Sequence, residues 1–166
     1  MRTQAEQIAA IRADQEFWRA PAEVGPARYD RPGPMGDWSF ADMAGHLTGW
    51  RERTINRIHA VGRGEPEPAP LWIVEPERED AVHEVNDWIR AQHAGRTPAQ
   101  LVADYDASYD RLIEALEAVP AQLQTTVLPW ADDEPLVDVD FTGHLHDEHV
   151  APVRAWLDGT NGSRPT

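Results

Sequence analysis

Apolar residues recur at helical spacing along most of this chain, and no run alternates as a half-buried strand would. That periodicity limits the fold to packed helices, each with its own punctuation. Ile8, Ile11, Gln15 and Trp18 mark one face of a helix from about Thr3 to Arg19, with Pro21 as its stop. Pro21, Pro26, Pro32 and Pro34 make the stretch from Ala20 to Gly36 a connecting loop. Ser39 caps a second helix carrying Phe40, Met43, Leu47, Ile55 and Ile58, which ends near Gly62 or Gly64. A third runs from about Pro76 to His93, with Val82, Val85, Trp88 and Ile89 inward and Gly95 as its stop. The fourth takes Thr97 as cap and Pro98 in its first turn, then sets Leu101, Tyr105, Leu112, Ile113 and Leu116 along one face before Pro120. Residues 121–140 keep no period. The last helix spans about Phe141 to Leu157, ahead of Gly159, with Pro152 as the source of a kink. The prediction is an all-α fold, a four-helix bundle with an additional short helix or lid segment. Beyond the proline-dense Glu65 to Pro70, the run Leu71, Trp72, Ile73 and Val74 reads as a plug over the open end of the core, or as a lid over a ligand.

A length of 166 residues with 41% hydrophobic content fits one domain, expected over residues 1–158 with a flexible tail over 159–166. Twenty-nine acidic residues against 15 basic ones give a formal charge of −14, which opposes contact with a phosphate backbone. Nucleic acid is not expected as a direct partner. The chain has no cysteine, so disulfides, a thiolate nucleophile and cysteine-ligated metals are excluded, while histidine and carboxylate ligands remain. No apolar run approaches the roughly 18 residues of a membrane span, and no basic segment followed by an apolar one marks a leader. A cytoplasmic protein without a membrane partner is expected.

Two groups of histidines carry the chemistry. His46 lies between Met43 and Trp50, at the edge of the buried stripe of the second helix. At about 100° per residue, Phe141, Leu145, His149, Val153, Trp156 and Leu157 share one stripe of the last helix, so His149 takes a core position. His146 lies roughly 60° from His149, one turn away, whereas His144 lies roughly 140° away. An α-helical wheel therefore favours His146 over His144 as the partner, unless the helix starts later or is distorted. Imidazoles that meet from distant helices can hold a metal or trade protons near neutral pH. Packing remains the alternative, because a histidine on an apolar face commonly gives its nitrogens to a carbonyl or carboxylate. His59, His83 and His93 read as surface or boundary residues.

The segment Trp38-Ser-Phe-Ala-Asp-Met-Ala-Gly-His46-Leu-Thr-Gly-Trp50 resembles the first signature of the DinB-like bundles, specifically the ClbS/DfsB branch. Three further segments resemble that branch in order and spacing: Asn86-Asp-Trp88-Ile followed by Gln92; Tyr105-Asp-Ala-Ser108-Tyr109-Asp-Arg-Leu112; and Glu148-His149-Val150 with Val153-Arg154 and Trp156. The resemblance covers about Trp38 to Trp156. It implies a compact helical bundle, often dimeric, whose wider superfamily commonly holds a divalent metal with three histidines, one from the second helix and two from the last. Members include thiol transferases that use a low-molecular-weight thiol and a maleylpyruvate isomerase. The ClbS branch includes a resistance protein that hydrolytically opens the cyclopropane of a DNA-alkylating metabolite.

Carried over residue by residue, His46 corresponds to the second-helix histidine and His149 to the last histidine of the final helix. This chain departs at the third ligand, since Leu145 stands four residues before His149 where a histidine is usual. The candidate metal ligands are His46, His146 and His149, with His144 as a substitute and Asp147 or Glu148 as carboxylate alternatives, for an ion such as zinc or nickel. A metal-free site stands beside this, with His46 and His149 as catalytic base and acid, a role suited to an ordinary pKa near 6.5. Trp50, Trp88 and Tyr105 would shape the ligand pocket, and Asn86 would orient a polar group. Tyr105 and Tyr109 either present hydroxyls to that pocket or pack with their oxygens at its rim. The expected function is detoxification or self-resistance against an electrophilic small molecule, by hydrolytic ring opening or thiol addition. Sequestration of a toxic molecule in the same cavity, without catalysis, and a bundle whose histidines are merely packed are the other readings.

Overall fold

In a computed structural model, which describes residues 2–23, 26–72 and 81–161, the chain forms the all-α bundle its periodicity predicts. Helix α1 spans Gln4–Ala22, α2 Phe40–Arg63, α3 Ala81–Gln92, α4 Pro98–Glu117 and α5 Val150–Asn161. A π-helical turn, Leu145–His149, leads into α5. The two longest helices, α2 and α4, pack against each other most extensively, and α1 packs on α4.

Both caps predicted from sequence form. The Ser39 hydroxyl accepts from the Asp42 N–H while the Asp42 side chain accepts from the Ser39 N–H, and Thr97 and Gln100 make the same reciprocal pair ahead of α4. Helix α2 stops at Gly64, whose φ of 65° is a left-handed value that glycine adopts without a Cβ penalty.

The interior is joined by stacked aromatic rings. Trp18 of α1 lies 5.0 Å from Phe40 of α2 in parallel, Phe40 lies 5.3 Å from Trp156 of α5, and Trp18 meets Tyr105 of α4 edge-on at 4.5 Å. Ile58, Leu112, Leu116 and Leu136 fill the rest at 2% exposure or less. Burying each such side chain contributes about 1.5–3 kcal/mol before entropy is counted.

Several local expectations are corrected. Helix α1 continues through Pro21 to Ala22, so that proline sits in the last turn and does not terminate the helix. The connection before α2 is more than a loop: β1 (Pro32–Gly33) pairs antiparallel with β2 (Gly36–Ser39), Pro32 opposite Ser39. A second small hairpin, β3 (Val127–Leu128) with β4 (Glu134–Pro135), lies in the aperiodic segment, with Leu128 opposite Glu134. Val82, in the first turn of α3, is 57% exposed, whereas Ala81, Val85 and Ile89 of the same helix are buried. Leu71 is 72% exposed, and Trp72 carries the packing of the apolar run against Trp50 and Trp88. Ile73, Val74 and the expected α3 start at Pro76 lie outside the described residues, as do residues 162–166 of the tail.

Candidate metal centre

The turn before α5 decides which histidines meet. In an α-helix, residues five apart point about 140° away from each other. Here the Val150 N–H bonds the Leu145 carbonyl five residues back, so the turn holds one residue more than an α-helical one. Pro152 gives the local reason: it has no N–H for the Glu148 carbonyl, and its ring crowds that carbonyl. The expected distortion thus takes the form of a widened turn. Leu145 stays in the core at 3% exposure, and His144 and His149 come to one side.

His46 of α2 meets both. The Nε2 atoms of His46 and His144 are 3.3 Å apart, and the ring centres of His46 lie 5.5 Å from those of His144 and His149. One donor atom from each of the three rings lies within 4.8 Å of the other two. Among the described residues, then, His144, which an α-helical wheel sets aside, joins His46 and His149. His146 belongs to the π turn, and its side chain lies outside the described residues.

Burial sets the charge state. His46 and His149 are each 4% exposed. Desolvation, followed by the nearby His144 and His149, pushes the His46 pKa down to about 3, against a small opposing effect of Asn86. Desolvation, followed by His144, pushes His149 down to about 4, with Glu148 opposing. Both rings are neutral at pH 7. His46 Nδ1 and His149 Nε2 are buried with no hydrogen-bond partner, which is costly for a group that only packs. Glu148 holds the Nδ1 of His144 at 3.3 Å from the outside, leaving its Nε2 toward His46. A carboxylate behind a histidine in this way fixes the ring of a metal ligand.

The histidines open onto a cavity of about 670 Å³ through His144. Leu47, Trp50, Arg51 and Arg57 of α2 form one wall, and Trp130, Asp140 and Glu148 contribute to the other. Arg51 is 9% exposed, and its guanidinium lies 3.7 Å from the Tyr109 ring centre. It donates to Ser108 Oγ at 2.8 Å and to the Tyr105 hydroxyl at 2.9 Å. The Tyr109 hydroxyl donates to Asp14 Oδ2 at 2.7 Å. Burial opposes the Arg51 charge, but Tyr105, Tyr109 and Asp14 outweigh it and keep the pKa above its ordinary value. Burial raises both tyrosines, so they remain neutral donors.

The expected ligand-binding residues do not share one pocket. Tyr105 lines the histidine cavity but is fully buried, with its hydroxyl inside the Arg51 network and not at the rim. Trp50 lines the same cavity and donates from Nε1 to Asn86 Oδ1 at 3.0 Å, so Asn86 is engaged in orienting Trp50. Trp88 faces a different cavity of about 600 Å³, bounded by α2, α3 and Trp72. Arg51 and Asp14 were not among the sequence candidates. Their signal is positional: Arg51 falls four after Leu47 and four before Ile55, and Asp14 three after Ile11 and four before Trp18, so each interrupts an apolar stripe with a charge.

The three residues fit a divalent ion. Two nitrogens bound about 2.1 Å from one tetrahedral ion stand about 3.4 Å apart, close to the separation of the His46 and His144 Nε2 atoms. The neutral rings of His46 and His149 are in the protonation state that ligation requires, and His149 Nε2 is buried without a hydrogen-bond partner. Fold and site together define a DinB-like helical bundle whose three histidines lie close enough to bind a metal. Residues 11–150 match the family described as the mycothiol maleylpyruvate isomerase N-terminal domain, and the chain belongs to that family. No curated protein and no solved structure gives a significant match.

Proposed function

We propose that the protein is a metal-dependent detoxification enzyme that adds a nucleophile, water or a low-molecular-weight thiol, to an electrophilic small molecule. The observation that supports this reading is the trio His46, His144 and His149, with one donor atom of each within 4.8 Å of the other two, beside a 670 Å³ cavity that His144 lines. The signatures shared with the ClbS/DfsB branch favour an electrophilic metabolite as substrate, and the mycothiol in the family's description favours thiol addition.

His46, His144 and His149 would hold zinc or nickel, with Glu148 fixing the His144 ring. An ion held there would supply Lewis-acid polarisation of the electrophile and a lowered pKa for the attacking water or thiol. Trp50 and Trp130 bound the space available to the substrate, and the charged Arg51 supplies a fixed positive charge at its wall. The metal-free alternative, with His46 and His149 as base and acid, is disfavoured by their depressed pKa values. An imidazole that titrates near 3 or 4 is almost never protonated at pH 7 and is a poor proton donor there.

The test is turnover. Protein stripped by a chelator is reloaded with Zn²⁺ or Ni²⁺ and incubated with an activated aryl halide or an epoxide, with and without a small thiol, and product is followed by mass spectrometry. Metal-dependent product that disappears in His46→Ala, His144→Ala and His149→Ala is expected. Equal product from wild type and all three variants would refute the assignment, and saturable binding without product would establish sequestration in its place.

A further inference from the structure

Arg53 and Arg57 stand on α2 beside the histidine cavity, and both are turned toward one atom. Arg53 Nη2 donates to Glu67 Oε1 at 2.7 Å, Arg57 Nε donates to the same oxygen at 2.7 Å, and Arg57 Nη2 lies 2.7 Å from it. Among the described residues no donor reaches the second oxygen of Glu67. Arginine commonly holds a carboxylate bidentately, one fork against both oxygens. Here two guanidinium groups converge on one oxygen, a concentration of donors able to hold an oxyanion.

The carboxylate comes from a strap with few backbone hydrogen bonds among the described residues. Pro66, Pro68 and Pro70 alternate through it and offer no backbone N–H. Among the described residues no backbone-to-backbone hydrogen bond involves residues 66–72. Arg53 Nη1 donates to the Pro68 carbonyl at 2.5 Å, and Trp72 rests against Trp50 with ring centres 5.2 Å apart. Glu67 itself is 38% exposed, while Arg53 is only 8% exposed. Desolvation first, and the adjacent Arg57 second, pull the Arg53 pKa below its ordinary value, so the two cations sit together at a cost that an anion relieves.

Both arginines line the histidine cavity, and both also line a smaller cavity of about 380 Å³ beneath the strap, with Glu67, Trp50 and Trp72. The same cavity is also lined by Asp132, Glu134, Asp140, Asp147 and Glu148, which repel an anion. Among the described arginines that line it, Arg51 is committed to Ser108 Oγ and the Tyr105 hydroxyl, which leaves Arg53 and Arg57 to hold one.

We propose that Arg53 and Arg57 form an oxyanion-binding subsite for the small-molecule ligand, that Glu67 fills it as an internal stand-in, and that the ligand's carboxylate or phosphate displaces Glu67. The ligand then carries an anionic group at one end and its reactive carbon at the histidine end. Only the second half of that description rests on the proposed function; the subsite is tested without turnover.

The experiment titrates metal-free protein with succinate and, separately, with inorganic phosphate, with sodium chloride as the ionic-strength control. The readout is tryptophan fluorescence, since Trp50 and Trp130 line the cavity and Arg57 lies 4.8 Å from the Trp130 ring. Saturable one-to-one binding of at least one anion is expected, and the tighter one identifies the ligand class. Removing the competing carboxylate in Glu67→Gln should tighten that binding roughly five-fold, the factor a partly exposed ion pair contributes. Arg57→Gln should abolish it; this side chain is 23% exposed, so the variant is the safer one for folding, which a thermal melt checks. His46→Ala should leave anion binding unchanged, which separates this result from failure of the metal chemistry. Absence of saturable binding by either anion, no gain in Glu67→Gln, or full retention in Arg57→Gln would overturn the proposal.

Discussion

Acidifying the metal-free protein from pH 7 to pH 5 should destabilise it through two histidines. Unfolded, His46 and His149 take up a proton near pH 6.5. Folded, they resist until about pH 3 and about pH 4. Across the interval the unfolded chain binds more protons, so folding stability is complete above pH 6.5 and falls as the pH drops toward the folded values. Each group contributes about 1.4 kcal/mol per pH unit once its unfolded form is protonated. From 6.5 to 5 that is about 2 kcal/mol per histidine, or about 4 kcal/mol for both. Against a total stability on the order of 5–15 kcal/mol this is a large fraction. For a chain of this size it corresponds to a fall in Tm of roughly 8–16 °C.

Carboxylates with ordinary pKa values near 3.9 and 4.3 titrate mostly below this window, so the histidines can be isolated by difference. The assay is a series of thermal melts in chelator at half-unit steps, for wild type, His149→Asn and His46→Asn/His149→Asn. The single variant should lose about half of the pH dependence and the double variant nearly all of it. A double variant whose Tm falls between pH 7 and pH 5 as steeply as wild type would refute the reasoning. Saturating Zn²⁺ at pH 7 should raise the wild-type Tm, by a stabilisation of about 2.7 kcal/mol when the ion is at 100 times its Kd.

Isothermal titration with Zn²⁺ should show affinity lost in His144→Ala and kept in His146→Ala. Deleting Asp147 should keep it, because the shortened segment places His144 four residues before the final histidine, one turn of a regular α-helix away. Arg51→Met should cost about 3 kcal/mol in urea unfolding, because it removes the buried donor to Ser108 Oγ and the Tyr105 hydroxyl and a cation that interacts with Asp14. Gly49→Ala should destabilise by about 1–3 kcal/mol despite alanine's better helix propensity, since a Cβ there would lie 2.5 Å from the Ile89 side chain, where α3 approaches α2. A stabilised Gly49→Ala protein would show that α3 can shift outward at little cost.

Where local chemistry decides a structure, the sequence is a sufficient guide. Ser39 and Thr97 cap their helices through reciprocal pairs three residues long, and Gly64 ends α2 with a conformation written into the residue type. Where tertiary contact decides, it is not. Pro21 is tolerated because the last turn of α1 can accommodate it. Val82 shares the helix face of Val85 and Ile89 on a wheel, yet it is 57% exposed in the first turn of α3, so its place along the axis decides its burial, which periodicity does not encode. The two small hairpins, β1 with β2 and β3 with β4, are two to four residues per strand, too short to show alternation.

The candidate site shows the same division within a single helix. His46 and His149 are visible from the apolar residues that flank them at three- and four-residue spacing, on α2 and through the turn into α5. His144 is invisible to a wheel drawn at 100° per residue, since that wheel assumes the ladder that the Leu145–His149 turn breaks. The presence of Leu145 where the family resemblance calls for histidine then has a geometric explanation. A pair spaced by four in a regular helix and a pair spaced by five across a π turn both bring their rings to one side, so one extra residue and one widened turn compensate each other. Pro152 is the residue that makes the second solution accessible, and its replacement by alanine should favour the regular ladder, rotate His144 away from His46 and weaken metal binding while leaving the core residues Leu145 and Val153 buried. Retained affinity in Pro152→Ala, measured by the same titration, would mean that packing of Leu145, and not the proline, holds the turn open.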